Sequence, residues 1–230
     1  MIHQLIFAAP KPGMTEEEFQ RYWLEVHAVR YASRIPQIRR YAIDARIPQP
    51  GDGEPLWSGI AEIWLNNEEE QLASLQTPEF LEGARLDEPR WAAFWRSVVL
   101  DTDTEVVVPG VPENQVQPGI KQVILAKRAE GVSVEEFRRH SRETHAPLVS
   151  GLPGVGRYYQ SFTRDSWYAL SEPPFDAAYH VWFDDLASLR AARATAQQAA
   201  VEADYKNFVN ERYLHVLTVR QDWVIGPQPR

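Results

Sequence analysis

Residues Thr15 to His27 read TEEEFQRYWLEVH, and residues Ser133 to His145 read SVEEFRRHSRETH. The second stretch echoes the first. Around them Ile2, Gln4, Ala8, Gly13, Glu17, Glu18, Phe19, Arg21, Glu25, His27 and Ala28 recur as Ile120, Gln122, Ala126, Gly131, Glu135, Glu136, Phe137, Arg139, Glu143, His145 and Ala146. Every pair has the same spacing of 118 positions, with no gap. A fixed period over that length is the mark of a duplicated unit. The chain of 230 residues therefore reads as two copies: a first unit at 1–108, a linker at 109–119 (PGVPENQVQPG) and a second unit at 120–230.

Each copy carries the same local signals. Thr15 and Glu18, then Ser133 and Glu136, form capping boxes that start a helix. Phe19, Trp23 and His27 follow at i, i+4 and i+8, a stripe that faces a core. Ahead of the helix, Ile2 to Ala8 reads as a strand. After it, Arg40 to Asp44 and Arg157 to Ser161 read as second strands, and Ala61 to Leu65 and Tyr179 to Phe183 as third strands. Second helices carry Leu72 to Leu75, after a solvated start at Glu68-Glu69-Glu70, and Leu186 to Leu189, the latter predicted to run on through the alanine-rich Arg190 to Ala203. Segments near Ser97 to Val108 and Tyr213 to Ile225 close the units.

The order strand, helix, strand, strand, helix, strand is the ferredoxin-like split βαβ order. Such a sheet is covered by helices on one face only. The expected fold is α+β, with two ferredoxin-like βαββαβ units forming a pseudo-symmetric α+β barrel. Alternation along the third strands sends Ala61, Ile63 and Leu65 toward the helices, with Tyr179, Val181 and Phe183 in the second copy. Glu62 with Trp64, and His180 with Trp182, then face a shared interior.

Composition narrows the function. The net charge is -8, which argues against nucleic acid or an anionic membrane as partner. No long apolar run marks a membrane span or a signal peptide. There are no cysteines, hence no disulfide and no thiolate site, as fits a cytoplasmic protein. Eight Trp, nine Tyr and nine Phe exceed what cores of this size need and suit an apolar ligand pocket. No HxxxH or HExxH pair, P-loop, GxGxxG or GxSxG is present, and no metal site is expected.

The sequence resembles the EthD family, within the dimeric α+β barrel superfamily. The resemblance rests on Lys11-Pro12-Gly13-Met14-Thr15, Phe19, Tyr22-Trp23 and His27-Ala28 in the first copy. In the second it rests on Gly131, Ser133, Glu135-Glu136-Phe137 and Thr144-His145-Ala146-Pro147-Leu148. Ala61-Glu62-Ile63-Trp64 and His180-Val181-Trp182-Phe183 are similar to the family's third strand. Most such proteins are single units that dimerise, so the resemblance implies that both halves are carried internally. Polyketide cyclases, dehydratases, lactone isomerases, cofactor-free monooxygenases and haem-binding enzymes occur in the superfamily. The copies diverge where Trp23 becomes Ser141 and Glu62 becomes His180, which implies one asymmetric pocket or one working site.

Glu62 and His180 are the leading candidate catalytic pair, since a carboxylate and an imidazole in a low-dielectric cavity can serve as base and acid. The competing readings are a buried structural ion pair and side chains that never meet. His27 and His145 are further candidates, set against a role bonding backbone carbonyls at the helix end. His140, at the position of Tyr22, is expected on the solvent side. Arg40 and Arg157 could hold an oxyanion, with Tyr41 and Tyr158 beside them. Trp64 and Trp182 would line the walls. Trp57 and Trp167 lie in long loops and would cap a ligand or pack locally.

These readings lead to a lyase or isomerase that needs no cofactor. It would act by proton transfer, elimination or cyclisation on a small apolar carbonyl compound of aromatic or polyketide type. The alternatives are an oxidative enzyme, haem-dependent or cofactor-free, and a binding protein for a hydrophobic metabolite. Association into a homodimer is compatible with all three.

Overall fold

The computed structural model describes residues 1–112 and 114–230, so residue 113 of the 109–119 linker lies outside the described residues. The strands are β1 (Ile2–Ala8), β2 (Arg40–Arg46), β3 (Gly59–Leu65), β4 (Val98–Val108), β5 (Ile120–Ala126), β6 (Val155–Thr163), β7 (Ala177–Phe183) and β8 (His215–Ile225). The helices are α1 (Glu16–Tyr22), α2 (Glu68–Ser74), the single turn α3 (Arg85–Asp87), α4 (Val134–His140), α5 (Ala146–Ser150), α6 (Asp165–Leu170), α7 (Leu186–Arg193) and α8 (Ala196–Tyr205). Two compact units result. The first comprises 1–102 with 219–230 and the second 103–218, so β4 and β8 each contribute to both. The strand order, β1-β3-β2-β8-β5-β7-β6-β4, is that of a closed barrel. The expected α+β class and ferredoxin-like order are those observed.

The helix starts form as the sequence dictates. Gly13 and Gly131 take φ of 86° and 84°, a backbone that side chains rarely adopt, and turn the chain out of the strand. The Glu18 amide donates to the Thr15 hydroxyl, and the Thr15 amide donates to the Glu18 carboxylate at 2.9 Å. Ser133 and Glu136 repeat both bonds. Neither helix then ends at once. Each widens into a π-helical turn, Trp23–Ala28 after α1 and Ser141–His145 after α4. Such turns re-aim side chains and recur at functional sites.

In the first unit Ala61, Ile63 and Leu65 pack with Phe19, Trp23, Tyr41 and Trp91. In the second, Tyr179, Val181 and Phe183 pack with Phe137, Tyr158, Tyr205 and Phe208. The alternation expected for the third strands is therefore realised in each unit. One expected element is split. The helix predicted from Leu186 through Ala203 breaks at Ala194, because the Thr195 hydroxyl donates to the Ala192 carbonyl and accepts from the Gln198 amide, capping α8 as a new helix. Of the loop aromatics, Trp57 is buried, donating from Nε1 to the Arg96 carbonyl at 3.1 Å and packing on the Phe7 ring at 5.4 Å. The second long loop contains α6.

The two cores trade bulk. Trp23 is Ser141 in the second copy, Ala61 is Tyr179, and Gly59 is Ala177. The reason is steric. A Cβ on Gly59 would lie 3.0 Å from the Trp23 ring and 2.9 Å from the Asp44 carbonyl oxygen. Glycine to alanine in a strand relieves an entropic cost of about 0.5–1 kcal/mol, but overpacking a core costs about 1–3 kcal/mol. The second effect wins here. Gly59→Ala should lower unfolding stability by about 1–2 kcal/mol in urea, and pairing it with Trp23→Phe should recover part of the loss. A stabilised single variant would contradict this packing account.

Candidate active site

His27 and His145 sit at corresponding places in the two π turns, and both are buried. Each binds a carboxylate rather than the backbone carbonyl expected of a helix-end histidine. His27 Nδ1 lies 2.9 Å from Asp87 Oδ2, and His145 Nδ1 lies 2.9 Å from Asp204 Oδ2. The second oxygen of each carboxylate is also taken. The Tyr22 hydroxyl donates to Asp87 Oδ1 at 2.8 Å, and His140 Nε2 lies 2.8 Å from Asp204 Oδ1. His140, expected on the solvent side, is half-buried: it bonds Asp204 and stacks on Phe208 at 4.4 Å, and 26% of its side chain stays exposed.

Burial sets the protonation of these rings. Desolvation lowers the proton affinity of His27 and of His145 more than the adjacent carboxylates raise it. Desolvation alone would raise Asp204, but the bonds from His140, Asn207 and His145 together hold it below the ordinary carboxylate value. The preferred state is thus a neutral imidazole donating Nδ1–H to an ionised Asp204, with the lone pair on Nε2. His145 Nε2 is buried and has no hydrogen-bond partner.

That nitrogen belongs to a residue lining a cavity of about 550 Å³ in the second unit. A volume in this range suits a small organic ligand. The cavity lies between α5, α7 and α8 and the helix-facing side of β5, β7 and β8. Ile124, Val149, Leu152, Val181 and Phe183 make it apolar, and Tyr179 and Tyr205 make it aromatic. Arg193, Glu202 and Glu211 are exposed where it reaches the surface. The Tyr179 hydroxyl pairs with Ser141 Oγ at 2.8 Å. Burial keeps that phenol protonated, so it can donate but does not ionise. In the first unit the surroundings of His27 are filled by rings: Trp91 lies 4.7 Å from His27, and Trp23 lies 4.9 Å from Trp91.

Of the residues singled out in the sequence, His145 is the one that lines this cavity. Glu62 lies in the first unit, buried, with His3 Nε2 at 2.8 Å and Gln221 Nε2 donating at 2.9 Å. His180 lies in the second, buried on the sheet face opposite Tyr179, its ring 6.1 Å from Trp182. Trp64 stacks on His3 at 4.3 Å and on Trp223 at 5.4 Å. Arg40 is half-buried, opposite Trp64 in the β2–β3 register. Arg157 donates to the carbonyls of Pro109 and Val111 and lies over Tyr159 and Trp182. Tyr41 and Tyr158 are core residues, Tyr158 accepting from Gln160 at 2.8 Å. The sequence marks Asp87 and Asp204 only by an aromatic four residues on, Trp91 and Phe208.

The EthD domain family model matches residues 11–94 and again 129–212, more than half of the chain. The chain belongs to the EthD domain family. No curated protein matches it. Similar folds include a candidate monooxygenase from Fusobacterium nucleatum, with TM-score 0.62 and 9% identity over 100% of this chain and 95% of that one. An anthrone oxidase-like protein has TM-score 0.62 and 11% identity over 97% and 92%. A haem-binding protein from Thermus thermophilus has TM-score 0.52 and 10% identity over 96% and 90%. At these identities the likeness is one of fold.

The cavity of this EthD chain does not suit a haem. Its charged lining residues are two glutamates and one arginine, the wrong balance for a group that carries two carboxylates. Among the described residues no cluster of three or more His, Asp or Glu is arranged to hold a metal ion. No described helix is long and apolar enough to cross a membrane.

Two measurements check this electrostatic picture. The folded-state affinities of His27 and His145 lie below the ordinary 6.5, so the unfolded chain binds protons first as pH falls. Stability should be fully present above pH 6.5 and decline below it. A His27→Gln/His145→Gln variant should show a flatter decline in urea midpoint between pH 7 and 5, and an unchanged slope would contradict it. Haem titrated into the protein should give no saturable Soret shift. A shift abolished by His145→Ala would overturn the fit argument.

Proposed function

We propose that the second-unit cavity binds a small, largely apolar carbonyl compound and that His145 removes a proton next to its carbonyl. The observation that carries this reading is the bare, buried Nε2 of a histidine whose Nδ1 is held by Asp204, in a residue lining the cavity. A base oriented by a carboxylate in an apolar site is the arrangement general-base catalysis requires. The C–H bond breaks, its electron pair passes into an enolate, and the proton goes to Nε2. Asp204 stabilises the imidazolium, and the hydroxyl of Tyr179, a residue lining the same cavity, is a candidate donor to the developing oxyanion. Return of the proton at another carbon gives isomerisation, and loss of a leaving group gives elimination.

The similarity to a candidate monooxygenase and to an anthrone oxidase-like protein favours a second reading that shares the first step. In it the enolate reacts with O₂ instead of being reprotonated. The aromatic lining suits either product. Glu62 and His180 are the competing base pair proposed from sequence, and they are separable by mutation.

The test is solvent exchange. Aryl ketones with an acidic neighbouring C–H, anthrone among them, are incubated anaerobically with the protein in D₂O and followed by NMR. The protein should accelerate deuterium uptake into at least one of them, and His145→Gln should lower that acceleration by about 10²–10⁴-fold. Glu62→Gln and His180→Gln should leave it within a few fold. Full exchange in His145→Gln with loss in Glu62→Gln would transfer the role to the sequence-derived pair. Oxygen uptake when air is admitted selects the oxidative branch.

A further inference from the structure

The second unit differs from the first in what shares the histidine's carboxylate. In the first unit Asp87 lies between His27 and Tyr22, a phenol whose proton is held more tightly than usual by desolvation and by Asp87 itself. In the second, Asp204 lies between two imidazoles, His145 on Oδ2 and His140 on Oδ1, with Asn207 also donating to Oδ1 at 3.1 Å. The inner ring has a side-chain exposure of 0% and the outer ring 26%. The chain His145–Asp204–His140 thus runs from the cavity lining to solvent.

We propose that His140 is a positioning residue that couples the buried base to solvent through Asp204, so that a proton taken up by His145 is matched by one released from His140. This rests on the reading of His145 as the base. One carboxylate between two imidazoles compensates one positive charge well and two poorly. A positive charge on His140 repels a second one at His145, which keeps Nε2 free to act as a base. When Nε2 receives the substrate proton, an N–H bond of the His140 imidazolium breaks and its proton passes to water. The net charge on the three side chains is unchanged, and Asp204 keeps both hydrogen bonds.

The other charged residues lining the cavity with His145 are Arg193, Glu202 and Glu211, all exposed. His140 bonds Asp204, whose Oδ1 also accepts from Asn207, and its ring stacks on Phe208. His145 faces Asp204 and the rings of Tyr179, Tyr205 and Phe208. Burial is the largest influence lowering the proton affinity of His145, and the charge of His140 acts in the same direction.

The variant His140→Tyr places in the second unit the residue that the first already uses on Asp87, so the hydrogen bond to the carboxylate has a precedent in this fold. His140→Gln keeps an N–H donor and cannot titrate. The imidazole resonances of His145 are followed by NMR against pH in the wild type and both variants, without ligand. The acid limb of deuterium exchange into the responsive aryl ketone is recorded alongside. In the wild type the two histidines should titrate as a coupled pair. In both variants His145 should titrate in a single step at higher pH, and the acid limb should move up with it. A His145 titration that is the same in all three proteins overturns the proposal, whatever the exchange rates do. Loss of amplitude with unmoved midpoints likewise assigns His140 a structural role only. Failure of the base reading has a different signature: exchange retained in His145→Gln, with the coupling still visible in the resonances.

Discussion

A buried imidazole bonded to a buried carboxylate ties each unit together. The histidine lies in the π turn that follows the first helix, and its aspartate stands 60 residues away in the first unit and 59 in the second. Taking the two groups from water is unfavourable in itself. They persist because each oxygen of the carboxylate has a partner and because rings of Trp91, or of Tyr205 and Phe208, close over the pair. Leaving such a carboxylate buried without its partner costs on the order of 3–5 kcal/mol, comparable to a large part of a small domain's stability. The bond therefore fixes where the helix end lies against the segment that leads into the last strand.

On that shared frame the two copies have gone different ways. The first spends its interior on Trp23 and Trp91, and needs Gly59 to admit them. The second replaces the tryptophan by Ser141 and fills toward the sheet with Tyr179, whose hydroxyl the serine then satisfies. A cavity lined by His145, Tyr179 and Tyr205 accompanies the change. The same carboxylate–imidazole bond acts as a structural tie in the first unit. In the second it also leaves a buried nitrogen without a hydrogen-bond partner, on a residue that lines a cavity.

Much of this frame was legible in the sequence because its signals are local and periodic. The fixed repeat spacing, the capping boxes at Thr15 and Ser133, and the alternation through Ala61 and Tyr179 each act over a few residues. The carboxylates were not legible. Asp204 stands one position short of the place the repeat spacing assigns to Asp87, and that place holds Tyr205. Only the fold brings the histidine and the aspartate together. Glu62 was legible as a polar residue on the face away from the helices, but its partners His3 and Gln221 come from other strands. Thr195 divides a segment whose alanine content favours a continuous helix, since capping depends on one hydroxyl and not on average propensity.

The central claim is that His145 is a neutral imidazole with its proton on Nδ1 and a bare Nε2. The direct measurement is the pair of ¹⁵N chemical shifts of its ring at pH 7, assigned by comparison with His145→Gln. The account predicts one protonated nitrogen, Nδ1, coupled to Asp204, and one unprotonated nitrogen, Nε2. Two protonated nitrogens, or a proton on Nε2 with Nδ1 bare, would contradict it.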